Sequence, residues 1–403
     1  MASALTLLTT LALSCAAAAS PIVVRDSLVS LPLLRQLNTS QLAGLVTSDQ
    51  ARARSLQGAP QSYAAADNVS VVNQATTYTA TVGFGSPAQS YTLIIDTGSS
   101  NTWIGARQPV APVAGATDTG HSVSVSYGSG SFSGEEYDGT VTLGDMSFQQ
   151  SFGIASSAQG FEGVDGILGI GPTDLTAGTV SDTPSVATVT DNLYQQGKIP
   201  QHLVAVSFEP TVSQSDPNGA ITFGGTDPSR YNGTINYTPR TTTSPASAYW
   251  GINQTITYGS PQGPTILAAT AGIVDTGTTL ILIASNAFDC YQAAVGGTMD
   301  ENTGLLRISS SQYKKLQSLY FNVGSVSYEL TANAQIWPRS LNTAIGGEEG
   351  EIYLVVNDLG TPSGQGLDFI NGYTFLERYY SVFDTTNNRI GFAETAYTHA
   401  ITN

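Results

Sequence analysis

Two segments hold the side chains best suited to chemistry: LIIDTGSSNTWIG at 93–105 and GIVDTGTTLILIA at 272–284. Both read apolar, apolar, Asp, Thr, Gly and then two hydroxyl residues, and their aspartates, Asp96 and Asp275, lie 179 positions apart. A single Asp-Thr-Gly usually does no more than end a strand. Two copies with matching flanks imply two equivalent halves, each delivering one carboxyl to a shared point. Carboxyls about 3 Å apart cannot both ionise, so one pKa falls and the other rises. Such a pair hydrolyses an amide without a covalent intermediate: the ionised partner takes a proton from water while the protonated one donates to the carbonyl oxygen. The pair titrates as a unit, so activity is expected in acid.

The neighbouring residues suit this task. Ile94-Ile95 and Ile273-Val274 would seat each carboxyl at a dry strand end, which raises the cost of ionising both. Gly98 and Gly277 would let the backbone turn sharply beside each carboxylate and leave N–H groups unobstructed. The hydroxyls of Thr97, Ser99, Thr276 and Thr278 can lock the two loops and orient the acid oxygens.

The elements that must position these loops read as short strands. From about residue 70 the chain alternates apolar and polar residues between Gly, Pro, Asn and Ser, and TYTATVGFGSPAQSYTLIID breaks its alternation only at GFGSP, the mark of a hairpin. Helix-compatible pieces lie near SVATVTDNLYQQG and SSSQYKKLQSLY. With 42 Gly, 18 Pro and 19 Tyr among 403 residues and only 11% charged, the class is mostly β. The length allows two lobes, expected over 64–204 with Asp96 and over 205–403 with Asp275. Residues 1–20 are apolar, uncharged and end in small residues, which predicts a secretory signal and an extracellular product. Residues 21–63 are net basic, and SLPLLRQLNTSQLAGL has helix-like leucine spacing; a cleavable cationic prosegment lying across an acidic cleft is expected, its cleavage near Ala64. A disordered tail is the competing reading.

Charge and composition narrow the partners. The balance of 14 Lys+Arg against 30 Asp+Glu gives −16, and without residues 1–63 the remainder holds 10 basic against 28 acidic residues, or −18. Nucleic acid is excluded as a partner on this ground, and no later stretch has the roughly 20 apolar residues of a membrane span. His121, His202 and His399 are scattered in no ligand spacing, so neither a metal nor another cofactor is expected. GSGSFSG lacks the lysine and the following helix of a phosphate loop, and lacks the strand-to-helix context of a serine nucleophile. Cys15 falls in the signal and leaves Cys290 alone, which excludes a disulfide in the mature chain. Asn38, Asn68, Asn232, Asn236 and Asn253 begin N-x-[ST] sequons open to glycosylation. Two alternatives remain: a glycosidase, which also uses two carboxylates but needs no Asp-Thr-Gly frame, and an inactive binding module of the same fold.

The twin loops, with the motifs around them, resemble those of pepsin-type aspartic proteases, family A1, over about residues 64–400. Tyr127-Gly128-Ser129-Gly130 in a Gly-rich hairpin resembles the flap that closes over substrate, and Trp103 resembles the tryptophan whose indole N–H anchors the flap tyrosine. GVDGILGIG at 163–171 and INGYTFLERYYSVFD at 370–384 resemble the segments that brace the catalytic loops. The resemblance implies a bilobal fold of two β-barrel-like lobes with a cleft between them, polypeptide substrates cut beside hydrophobic residues, inhibition by pepstatin, inhibition by the chain's own prosegment, and no cofactor. A monomer is the default, and milk clotting is implied by the likeness to fungal members. By matching position, Ile94, Tyr127, Phe132, Ile167, Gly98, Gly128, Gly277 and Thr278 would line the pocket or bind substrate backbone; core packing competes for Ile94 and Ile167.

Several positions depart from the family pattern. Asn371-Gly372-Tyr373 stands where the family has Leu-Gly-Asp, which removes a carboxylate near Asp275 and bears on the pH optimum. Ser129 stands where some fungal members carry a flap aspartate that admits lysine, so poor cleavage after lysine is expected. The prosegment has no lysine, so Arg52 or Arg54 must serve if a cation neutralises the acid pair.

Overall fold

A computed structural model describes residues 28–37, 44–58, 76–128, 130–213 and 215–403. The expected signal, the cleavage region near Ala64, Ser129 and the sequons at Asn38 and Asn68 lie outside these residues. Strand β1 (Val29–Leu37) and helix α1 (Leu45–Gln57) precede a hairpin of β2 (Thr76–Phe84) and β3 (Gln89–Asp96). Next come β4 (Thr102–Ile104), β5 (Thr117–Ser126), β6 (Ser131–Leu143), β7 (Met146–Gln159), β8 (Gly166–Gly169), α2 (Val189–Gln195), β9 (Leu203–Ser207) and β10 (Ser215–Phe223). The second half runs through β11 (Asn232–Pro239), β12 (Gly251–Tyr258), β13 (Thr265–Val274), β14 (Ile281–Ile283), α3 (Ser285–Val295), β15 (Thr298–Met299), β16 (Leu306–Ile308), α4 (Ser310–Tyr313), β17 (Leu319–Val323) and β18 (Val326–Leu330). It closes with β19 (Ile352–Tyr353), β20 (Val356–Asp358), β21 (Phe369–Asn371), α5 (Tyr373–Leu376), β22 (Tyr379–Asp384) and β23 (Arg389–Glu394).

Among the described residues thirteen strands form one sheet in the order β11-β23-β22-β9-β10-β1-β2-β3-β8-β4-β7-β6-β5. A seven-stranded sheet, β18-β17-β12-β13-β21-β14-β20, and a three-stranded one, β15-β16-β19, belong to the second half. The hairpin forms where the alternation breaks, with Phe84 opposite Gln89 across the GFGSP turn. Gly85 has φ +90°, a conformation glycine adopts without a side-chain clash.

The internal echo in sequence is also an echo in topology. β3 runs parallel to β8, with Asp96 opposite Gly169, and β8 is flanked on its other side by antiparallel β4. β13 likewise runs parallel to β21, with Val274 opposite Asn371, and β21 is flanked by antiparallel β14. Each Asp-Thr-Gly loop therefore leaves a strand buried on both sides, which explains the unbroken apolar runs before the aspartates.

The first part of the leucine-rich stretch, as far as Leu37, is a strand and not a helix. Val29, Leu31, Leu33 and Arg35 are buried while Ser30 and Pro32 are exposed, a period of two. Pro32 also has no N–H to give a helix interior. β1 pairs with both β10 and β2, in the middle of the thirteen-stranded sheet. The helix begins later, at Leu45, and buries Leu45, Ser48, Asp49, Arg52, Ala53 and Leu56, one face at helical spacing. Half of that face is polar, which hid the helix from a search for apolar periodicity. Helix α3 was also not anticipated, whereas α2 forms within SVATVTDNLYQQG with Thr188 and Asp191 as a capping box.

Candidate active site

The tips of the two loops meet. The Thr97 N–H donates to Thr276 Oγ1 at 3.0 Å and the Thr276 N–H donates to Thr97 Oγ1 at 2.9 Å. Each hydroxyl then passes its own proton across, Thr97 to the Val274 carbonyl and Thr276 to the Ile95 carbonyl. Four reciprocal bonds between residues remote in sequence fix the two halves at this point, and all the groups are buried, so each lost bond would leave an orphan.

Beside this crossing the aspartates are held symmetrically. Asp96 accepts from the Gly98 N–H at 2.9 Å and from Ser99 Oγ at 2.6 Å. Asp275 accepts from the Gly277 N–H at 3.1 Å and from Thr278 Oγ1 at 2.6 Å. The backbone turns at both glycines as expected, although neither Gly98 nor Gly277 has a positive φ. They are required for space, because a Cβ on Gly98 would lie 2.6 Å from Asp275 Oδ1 and one on Gly277 would lie 2.7 Å from Asp96 Oδ1.

A guanidinium occupies the point between the acids. Arg52 Nη2 donates to Asp96 Oδ1 at 2.6 Å and to Asp275 Oδ1 at 2.9 Å, while Nε donates to Asp275 Oδ2 at 2.7 Å. One nitrogen thus serves both carboxylates, and all three side chains are closed off from solvent. Of the two arginines considered, Arg52 is the one buried here and Arg54 is exposed. Three positions earlier on α1, Asp49 accepts from the Thr279 and Leu280 N–H groups. Sequence reasoning passed over Asp49; its spacing of three from Arg52 was the available signal.

Burial pushes Asp96 above the ordinary aspartate value against the pull of Arg52, with the Asp275 charge adding to the rise. For Asp275 burial acts upward too, but the guanidinium and the loop donors outweigh it and hold the carboxyl below the ordinary value. The two acids are therefore driven apart, as a single shared cation with more contacts to one of them dictates. Burial raises Asp49 to about 7, opposed by its two backbone donors and by Arg52.

The remaining singled-out residues gather over this centre. Trp103 Nε1 donates to Tyr127 Oη at 2.9 Å, and the indole stacks on Phe132 at 4.2 Å between ring centroids. Ile94, Trp103, Tyr127, Phe132 and Ile167 belong to one buried apolar cluster. Gly128 has φ +74°, and a Cβ there would strike Ala51 and Ser55 of α1 at 2.6 Å, so the hairpin tip lies directly on the helix. Tyr373 is buried. Its hydroxyl accepts from Arg35 of β1 at 3.1 Å, and its ring meets Tyr78 edge-on.

Comparison with known proteins agrees with the geometry. The chain is 60% identical to polyporopepsin of Irpex lacteus over 342 residues, which is 84% of this chain and all of that protein. It is 32% identical to pepsin A of Sus scrofa over 341 residues, covering 80% of this chain and 82% of the relative. The crystal structure of the aspartic proteinase from Irpex lacteus superposes with a TM-score of 0.81 at 54% identity, covering 94% of this chain and all of that one. Residues 77–395 match the family model described as eukaryotic aspartyl protease, and the chain belongs to that family.

Proposed function

We propose that this aspartic endopeptidase is made as a secreted, self-inhibited precursor, and that Asp96 and Asp275 form its catalytic pair once residues 21–63 are removed. The observation that carries the reading is the single guanidinium shared by both carboxylates. Only two acids within reach of one nitrogen can hold one proton and one water between them. Removal of α1 opens the space over the pair to an extended polypeptide, with the Tyr127 hairpin folding across it. The ionised acid then takes a proton from water as the oxygen attacks the scissile carbonyl, and the protonated acid donates to the carbonyl oxygen. A tetrahedral intermediate forms and no bond to the enzyme is made. Loop donors from Gly98, Ser99, Gly277 and Thr278 keep each carboxyl in line for this exchange.

Activity in acid follows from the need for one proton on the pair. The apolar cluster of Ile94, Phe132 and Ile167 beside the flap supports a preference for hydrophobic residues at the cut. Milk clotting, pepstatin sensitivity and monomeric lobes divided near residue 204 complete the proposal. The test is digestion of casein and haemoglobin at about pH 3–5 with and without pepstatin, using the wild type, Asp96→Asn and Asp275→Asn. Proteolysis in the wild type alone, abolished by pepstatin, is expected. Full proteolysis in either variant overturns the assignment.

A further inference from the structure

A second concavity lies behind the flap hairpin. It is a groove of about 760 Å³ walled by β5, β6, β7, α2 and the segment 180–187. Glu136 forms part of its wall although it is only 3% exposed, and one of its carboxylate oxygens accepts from Ser151 Oγ at 2.6 Å. The other oxygen, Oε2, has no hydrogen-bond partner among the described residues, and neither has His121 Nδ1 in the same groove. Buried polar groups are rarely left unpaired without a ligand or water to complete them.

The lining indicates what would complete this site. Among the described residues it contains two carboxyls, Glu136 and Asp138, and no lysine or arginine. No Phe, Tyr or Trp is among the described residues that line it, so these offer a sugar ring no face to stack on. The titratable groups of the groove are Glu136 and Asp138 on β6 and His121 on β5; β7, α2 and the 180–187 segment bring amides, hydroxyls and apolar groups. We propose that the groove binds an organic cation, the ammonium or guanidinium of a lysine or arginine side chain on a polypeptide, outside the catalytic cleft. The two sites are adjacent: Thr179 lines the cavity over the acid pair and the next residue, Val180, lines the groove.

Burial raises Glu136 to about 7, with Ser151 acting against the rise and the Asp138 charge adding to it. A cation binds the ionised form, so binding is full above that value and falls as pH drops through the lower value of the occupied state. The probe is Nα-acetyl-lysine methylamide, with its arginine counterpart and the uncharged norleucine analogue, titrated calorimetrically into the full chain carrying Asp96→Asn to prevent self-cleavage. Saturable binding of both cations at about pH 8, lost by about pH 5, is expected. Glu136→Gln should weaken it about tenfold or more, and Asp138→Asn by a few-fold. Absence of saturable binding, equal binding of norleucine, or unchanged affinity in Glu136→Gln overturns the proposal and leaves the groove to water. Should Glu136→Gln fail to fold, unchanged affinity in Asp138→Asn together with pH-independent binding by the wild type does the same.

Discussion

On the proposed reading of residues 21–63 as a removable inhibitory segment, Arg52 is the residue on which the state of the molecule turns. Three charge-assisted bonds from one planar side chain tie two buried carboxyls together, with a two-nitrogen fork on Asp275 that a lysine ammonium does not offer. Removing one partner of a buried ion pair costs about 3–5 kcal/mol because the remaining charges stay buried. We therefore expect Arg52→Ala to undock α1, so that the full-length chain binds immobilised pepstatin while the unprocessed wild type does not. Arg54→Ala, at an exposed position, should leave the wild-type behaviour intact. The pH dependence has two opposing parts. Asp275 is depressed in the docked state, so its contribution is present above the ordinary value of 3.8 and is lost as pH falls further. Asp49 is raised to about 7, so its contribution is full below the ordinary aspartate value and is lost as pH rises toward 7. Docking should be firmest between these limits and fail in stronger acid through Asp275. Asp49→Ala leaves the Thr279 and Leu280 N–H groups without that acceptor and should move the onset of processing to higher pH, read as the pH at which the chain shortens on a gel.

At the scale of elements, the two loops and the hairpin above them depend on few hydrogen bonds in dry surroundings. Thr276→Val removes the hydroxyl that accepts from Thr97 and donates to Ile95, leaving both buried groups unpaired at about 1–3 kcal/mol each. A lower melting temperature together with reduced activity is expected, because the same bonds position Asp275. Tyr127→Phe leaves the Trp103 indole N–H without its acceptor but keeps the ring stacking in the apolar cluster. Its cost should appear in kcat/KM beyond the about 1–3 kcal/mol of stability that the unpaired, buried indole N–H removes. An equal loss of stability and activity would show that the tyrosine acts only as core.

The whole molecule carries −16 at neutral pH, and several of its carboxyls are buried. Glu136 is raised from 4.5 to about 7, and Glu377 is also raised by burial, against the pull of Arg35 and Arg378. A carboxyl raised in the folded state gives stability that is complete below its unfolded value and disappears as pH climbs through its folded one. For Glu136 that is on the order of 3 kcal/mol. Self-repulsion of the net charge acts in the same direction. Calorimetry should find the melting temperature falling between about pH 5 and pH 8, the reverse of a protein whose carboxyls are mostly salt-bridged. Glu136→Gln, which cannot ionise, should flatten part of that fall.

The sequence by itself determined the two Asp-Thr-Gly loops, their equivalence, the β-rich class and the hairpin at GFGSP, because these depend on local alternation, turn residues and repetition. The first strand was misread as helix since leucines at mixed spacing satisfy both periods, and only pairing with β2 and β10 selected the extended form. Helix α1 was invisible because the face it buries is half polar, and burying Asp49 and Arg52 is tolerable only where carboxylates and backbone donors wait to receive them. The choice of Arg52 over Arg54, the crossing of Thr97 with Thr276, and the need for glycine at 98 and 277 arise from approaches between segments far apart in the chain. Such approaches leave no local signature, and tertiary packing alone decides them.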